Sequence, residues 1–358
     1  MNIYFFTFIQ KRMQCIVLFV LSTCSCLTVL AGQSESRTLK VLQFNIWQEG
    51  TMVPDGFRSI VAEIVRSEPD FVALSEVRNY QNTRFCDRIV EALKAKGKSY
   101  YSFYSYDSGL LSKYPILDSV TVLAPKDDKG SAYKMIVEID KQEFAVYTAH
   151  LNYREYASNE PRGYDGNSFK KKPEGREYDL KKVLDMNRRS GRIDVIRDII
   201  KDAQKELAKG RMVFFGGDFN EPSFLDWTKA TTYLFDHNGL VVPWDCTVAL
   251  QKAGFVDAYR HIYRNPVTHP GFTFPANTPK ADLSRLVWSP QADDRDRIDY
   301  IFYYPDKHLV LKDVQIIGPL GDIVRGQRIE EKTKDNIFTP GYVWPTDHKA
   351  VLATFEWK

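Results

Sequence analysis

The chain has 358 residues, of which 44% are apolar and 13% aromatic, including 20 Tyr and 22 Phe. That is enough to build a sizeable core in one large or two small domains, and it excludes the disordered and collagen-like composition classes. Lys and Arg number 49 against 46 Asp and Glu, for a net charge of +3, a balance that argues against a dedicated nucleic-acid binder, which needs a strongly positive surface.

The N-terminus reads separately from the rest. Lys11 and Arg12 precede an apolar run from Met13 to Leu30, and small residues follow in Val29-Leu30-Ala31-Gly32. A basic segment, an apolar segment and a small-residue cleavage pattern describe a secretory signal peptide over residues 1–31. The competing reading is an uncleaved membrane anchor, but Ser22, Thr23 and Ser25 make a poor spanning helix. The chain is therefore expected to be secreted or periplasmic, and acylation of Cys24 or Cys26 would give a lipid-anchored form. Losing Lys11 and Arg12 leaves 47 basic residues against 46 acidic ones. Cys86 and Cys246 remain of the five cysteines; one disulfide and two buried thiols are both open.

From Leu39 to Ile46 apolar and polar residues alternate, as in a half-buried strand. Ile60, Val61, Ile64 and Val65 have helical spacing within Phe57–Glu68, which stops before Pro69. Phe71–Val77 reads as a buried strand, and Cys86–Lys96 as a helix closing on Gly97. Strands are predicted at Tyr101–Tyr106, Gly109–Leu111, Ala132–Ile139 and Phe144–Leu151, the last two joined by a turn at Asp140-Lys141-Gln142. A polar stretch from Asn152 to about Lys182 interrupts the pattern. A helix through Ile193, Val195, Ile196, Ile199 and Ile200 then runs to Leu207, followed by a strand at Arg211–Gly216 and a helix near Phe224–Phe235. The last strands are Ile298–Tyr304, Leu309–Ile317 and Lys349–Trp357. Hairpins mixed with helix-separated strands predict stacked mixed sheets flanked by helices, in a single domain from residue 38 to 358.

Chemistry-bearing residues close several of these strands. Asn45 ends Leu42–Asn45, Glu76 ends Phe71–Glu76, and His150 and Asn152 close Val146–Asn152. Asp218 and Asn220 follow Gly216-Gly217, Asp299 lies in Arg297–Phe302, and Asp347-His348 precede the final strand. Such groups set against apolar neighbours must be paired or bind metal. Oxygen donors of this kind suit Mg²⁺, Mn²⁺ or Ca²⁺. Taken singly, each has a plainer reading: Asn45 as a strand end, Gly216–Asn220 as an ordinary turn, Asp347 as a helix cap beside a surface histidine. His237, His261, His269 and His308 lack such company and read as structural.

Taken together and in order, these segments resemble the endonuclease/exonuclease/phosphatase superfamily, which includes deoxyribonuclease I, abasic-site endonucleases, neutral sphingomyelinases and inositol-polyphosphate 5-phosphatases. The resemblance runs from Leu39 to Phe355, and its most specific parts are Gly216-x-Asp218-x-Asn220 and Asp347-His348. It implies a four-layer α/β sandwich, with two mixed sheets face to face, helices outside and the active site at one edge. By the same resemblance Glu76 is the principal ligand of a divalent ion, Mg²⁺ first, with Asn45 and Asp347 beside it. His150 and Asn220 bind phosphate oxygens, Asp218 orients or deprotonates water, and His348, held by Asp299, stabilises developing charge.

The chain departs from the abasic-site branch, which carries a second acid two residues after the Asn where this sequence has Trp47, and a Tyr where this one has His150. The stretch Tyr153–Lys182 is longer than the usual connection, so Asn152, Arg154 and Tyr156 are candidate substrate contacts, with Arg162, Tyr164 and Lys170–Lys172 further along. The expectation is an exported metal-dependent phosphoesterase that acts as a monomer, without a stable protein partner. Its substrate would be a small phosphate ester, a lipid headgroup or nucleic acid. The other readings are a secreted nuclease of the deoxyribonuclease I type and a non-catalytic binding protein on the same fold.

Overall fold

The alternating segment after residue 36 forms β1 (Arg37–Asn45), which pairs antiparallel with β15 (Ala350–Trp357) and parallel with β2 (Phe71–Val77). The structure is a computed structural model and describes residues 36–125 and 130–358; the expected signal peptide lies outside the described residues. β4 (Asp107–Ser112) and β3 (Tyr101–Ser102) extend the sheet on one side, β11 (Leu309–Ile317) and β14 (Ile337–Phe338) on the other. The second sheet runs in the order β5 (Ile116–Leu123), β6 (Gly130–Ile139), β7 (Gln142–Leu151), β8 (Met212–Asp218), β10 (Asp299–Tyr303), β9 (Val256–Asp257). Both sheets are mixed: β1 lies parallel to β2, and β7 parallel to β8, while most other neighbours are antiparallel. A small hairpin, β12 (Asp322–Val324) with β13 (Gln327–Ile329), stands apart from them.

Strand alternation sends half of each sheet's side chains inward. Val41, Phe71, Phe144, Val146, Phe214 and Phe355 meet between the sheets, and Phe144 and Phe214 stack at 6.3 Å. Removing one such buried ring costs about 3–5 kcal/mol. The sheets approach so closely near the site that a Cβ on Gly216 would sit 2.7 Å from the Ala73 Cβ, which accounts for the glycine. On one outer face Leu42, Phe44 and Leu74 pack under the helices Gly56–Ser67 and Phe85–Lys94. On the other, Tyr147, Phe215 and Phe302 pack under Arg192–Ala208 and Asp245–Lys252. Helix, sheet, sheet, helix make the expected four layers.

Several elements differ from expectation. The helix expected at Phe224–Phe235 is a run of turns. There the Thr231 hydroxyl donates to the carbonyls of Asp226 and Thr228, and Ser223 Oγ accepts the Leu225 N–H, so side chains compete for the backbone. A helix at Leu180–Arg189 went unread, capped by Asp179, whose carboxylate accepts the Lys181 N–H at 2.8 Å. β5 also went unread, because it is an edge strand with Leu117 and Val120 exposed. The expected strand Tyr101–Tyr106 reaches only Ser102. The β6–β7 hairpin turns on two residues, Asp140 and Lys141, both with positive φ (49° and 69°) as a type I′ turn requires. Cys86 and Cys246 are both buried and unpaired.

Candidate active site

The strand ends fall together at one edge because the pairing registers align them. Asn45 lies opposite Ser75, His150 opposite Asp218, and Asp218 opposite Asp299. Glu76 sits in the irregularity between Ser75 and Val77, where β2 pairs with β4, and its φ of 70° turns its carboxylate out of the strand's alternation. Asp107 and Asn220 also have positive φ, 69° and 48°. Three non-glycine residues in this strained region within one cluster mark a site over-determined by its surroundings.

Asp218 is the centre. It is 1% exposed; its Oδ1 accepts the Asn220 N–H at 2.9 Å, and its Oδ2 accepts from Asn45 Nδ2 at 2.9 Å. The Nε2 atoms of His150 and His348 each lie 3.8 Å from the same Oδ2. Behind each imidazole stands a carboxylate: Asp107 Oδ1 is 2.8 Å from His150 Nδ1, and Asp299 Oδ2 is 2.8 Å from His348 Nδ1. Burial alone would lower both imidazoles. The attraction of Asp107, Asp218 and Glu76 instead raises His150 to about 9. Asp299, Asp218 and Asp347 likewise raise His348 to about 10. Both rings are therefore cations at neutral pH, with Nδ1–H donated backward and Nε2–H facing the centre. Burial and then Asp299 push the Asp218 carboxyl above its ordinary range, opposed by the two imidazoles.

A second group of acids adjoins this centre. Glu76 Oε2 accepts the Gln48 N–H at 2.9 Å and lies 3.8 Å from Arg78 Nη2. Asp347 is 6% exposed, and its pKa is raised by burial and by Glu76 against the pull of His348. Asp347 with Glu76 beside it, and an amide oxygen at Asn45, form a hard-oxygen donor set whose crowded charge on Asp347 a divalent cation would relieve. A tighter triad by distance is Asp218, Asp299 and His348, whose ligand atoms lie within 4.8 Å of one another. In that triad His348 Nδ1 and Asp299 Oδ2 are already bonded to each other. Glu76 and Asp347 are thus the better donors for a hard ion, and the triad is the better proton-handling unit.

The other residues sort clearly. Asn220 Nδ2 donates to the Leu151 carbonyl at 3.0 Å, which ties its loop to the end of β7. Asn152 donates to the Ser190 carbonyl and accepts the Arg154 N–H, so its amide anchors the loop. Tyr156 was expected to touch substrate, but it is 1% exposed and its hydroxyl donates to Asp296 at 3.1 Å. Arg162 is buried and also grips Asp296, Tyr164 is buried, and Lys172 pairs with Glu160. Arg154 alone of the three nearest candidates is exposed, its guanidinium over the Tyr153 ring at 5.1 Å. His237 is buried and stacked on Trp227 at 3.8 Å, as a structural residue.

Sequence reading missed Asp107 and Arg78. Asp107 opens β4 ahead of the apolar Gly109–Leu111, as Asp299 opens β10. Arg78 donates to Asp107 while facing Glu76, so it links the two acid groups.

A protein of Caenorhabditis elegans described as uncharacterized is 27% identical over 350 residues, spanning 95% of this chain and 98% of its own. The catalytic domain of human Nocturnin, solved with a bound sulfate anion, superposes with a TM-score of 0.50 at 14% identity, covering 90% of this chain and 95% of that one. The D. rerio TDP2 structure with a single-strand DNA product gives 0.48 at 16% identity, covering 89% and 98%. The model of the Endonuclease/Exonuclease/phosphatase family matches residues 42–348, a span holding every residue of the cluster, and the chain accordingly belongs to that family of phosphoric ester hydrolases.

Proposed function

We propose that this chain is an exported hydrolase of phosphate esters that works with a divalent cation, Mg²⁺ or else Mn²⁺ or Ca²⁺. The observation that carries the reading is the convergence of two carboxylate-backed imidazoles on Asp218, each at 3.8 Å. Phosphate esters repel nucleophiles through their charge, so preorganised donors must neutralise their oxygens before attack. The Nε2–H groups of His150 and His348 are placed to do so, and Asn45 holds Asp218 in position through the 2.9 Å bond. Asp218, raised toward neutrality, takes a proton from water as the water oxygen bonds to phosphorus and the ester P–O bond breaks. An imidazolium stands on either side to protonate the leaving oxygen. Glu76 and Asp347, with Asn45 beside them, would hold a divalent cation, which when bound would neutralise phosphate charge as a Lewis acid.

Export rests on the Lys11-Arg12 and Met13–Ala31 pattern. Monomeric action on a phosphate-ester substrate belongs to the same reading. The experiment is the protein from Gln33 onward, assayed with Mg²⁺, Mn²⁺ or EDTA on plasmid DNA, sphingomyelin, a chromogenic diester and a chromogenic monoester. Cleavage of at least one substrate, abolished by EDTA, is expected; no cleavage of any, or cleavage indifferent to EDTA, removes the proposal.

A further inference from the structure

A cavity of about 520 Å³ opens on the outer face of the second sheet, between the helices Asp245–Lys252 and Ala258–Ile262. Its size falls in the range of small-molecule pockets, about 300–1,000 Å³. It does not belong to the catalytic cluster. Phe302 on its floor pairs with Phe215, three positions along β10 from the Asp299–Asp218 pair, or about 10 Å at ~3.3 Å per residue.

The lining is apolar inside and basic at one side. Phe255 and Phe302 are each 2% exposed and form the floor, and the half-buried Phe224 and Leu225 form a wall. The polar groups inside are occupied: the Thr247 hydroxyl accepts the Phe224 N–H and donates to the Trp244 carbonyl. The charges do not balance. Asp257, the one carboxylate of the lining, is 2.8 Å from Arg297. Arg260 pairs with Asp226 and donates to the carbonyls of Tyr263, His269 and Pro270. His261 and Arg264 are exposed, and Arg264 makes no salt bridge among the described residues, its side chain meeting only the His261 carbonyl at 3.5 Å. An apolar chamber with uncompensated positive charge at its mouth complements one chemistry.

We propose that this cavity is a second binding site, separate from the catalytic cluster, for a small amphipathic anion: an apolar body among Phe224, Leu225, Phe255 and Phe302, and a carboxylate or phosphate monoester head at Arg264 and His261. The site depends on neither turnover nor the identity of the hydrolysed ester.

Equilibrium dialysis with EDTA present, so that binding is read without hydrolysis, tests it using decanoate, decyl phosphate, decanol and decylamine. One equivalent of decanoate or decyl phosphate is expected to bind saturably, and decanol and decylamine to bind at least about tenfold more weakly. Arg264→Glu, a surface change, is expected to weaken the anion about tenfold, and Leu225→Trp to exclude it by filling the chamber. Preference between the two acids identifies the head group. His348→Ala is expected to bind the anion as the wild type does. Three results would overturn the site: no saturable binding, binding indifferent to both Arg264→Glu and Leu225→Trp, or binding lost in His348→Ala, which would put the anion in the catalytic cluster.

Discussion

Asp218 faces two imidazoles that it does not bond, each held from behind by its own carboxylate. Arg162, in the long loop after β7, is just as buried but is bonded through two nitrogens to Asp296, which also receives the hydroxyls of Tyr156 and Ser158. Arg192 nearby donates to the carbonyls of Asn152, Arg154 and Glu155. In the strand-end cluster the imidazole nitrogens face the Asp218 carboxylate without bonding it; in and around the loop the donors go to Asp296 and to the loop's own backbone. Both regions bury charged and polar side chains. What separates them is that in the cluster two carboxylate-held imidazoles face a third carboxylate at 3.8 Å without bonding it, whereas the guanidiniums of Arg162 and Arg192 are bonded directly to carboxylate and carbonyl oxygens.

The largest effect expected from that contrast is on turnover at the cluster. Asp218→Ala and His348→Ala should each lower kcat by roughly 10²–10⁴, the range of a positioned acid or base. Asp218→Ala should hold or raise the melting temperature, because a buried acid repelled by its neighbour Asp299 is gone, whereas His348→Ala should lower it, because buried Asp299 loses the imidazole 2.8 Å away. Wild-type rates in either would remove that residue from the chemistry. Asp107→Asn comes next, because it removes the charge that orients His150; a loss of about 10- to 100-fold is expected, by analogy with groups that orient metal-bound histidines. If instead Asp107→Asn matches the wild type, His150 does not need its rear carboxylate.

Arg162→Ala should reverse the pattern. Breaking a buried pair by removing one partner costs about 3–5 kcal/mol of stability, read as an earlier urea midpoint, while kcat of the folded fraction stays close to wild type. A kcat loss on the scale of Asp218→Ala would place the loop in the chemistry. Arg154→Ala, at an exposed position beside the site, should change KM by less than about threefold, as a screened surface charge does.

The histidine pairs also give stability a pH dependence. His150 rises from an ordinary 6.5 to about 9 in the folded protein, so the native state holds its proton more tightly than the unfolded chain. That stabilisation is fully present below about 6.5 and fades as pH climbs through 9. Urea midpoints at pH 6 and pH 9.5 should therefore differ more in the wild type than in His150→Gln; an equal difference in both would exclude the pair as the source.

Much of the site was legible because strand-end placement is a sequence property. An acid, amide or imidazole at the end of an apolar run can be seen without coordinates, and Asn45, Glu76, His150 and Asp218 obey that rule, while Asp299 opens β10 and Asp347-His348 precede β15. The pairing register that brings them together is set by long-range contacts and was supplied by the resemblance, not by the local pattern. Asp107 was missed because it begins its strand and, unlike Asp299, lies in no motif on which the resemblance rests. Tyr156 and Arg162 look like ligand contacts in a polar stretch, and only Asp296, more than 130 residues downstream, turns them inward. The turns at 224–235 defeated a periodicity argument because threonine and serine side chains there take the backbone bonds a helix would need.

The most direct test is a paired rate measurement: wild type and Asp218→Ala, each with Mg²⁺ and with EDTA, on whichever ester the substrate panel identifies, with thermal unfolding recorded for both proteins. Hydrolysis confined to the wild type with Mg²⁺, from two proteins that melt alike, is the expected result. Equal hydrolysis by the folded Asp218→Ala protein, or by the wild type in EDTA, would contradict a metal-assisted attack organised around Asp218.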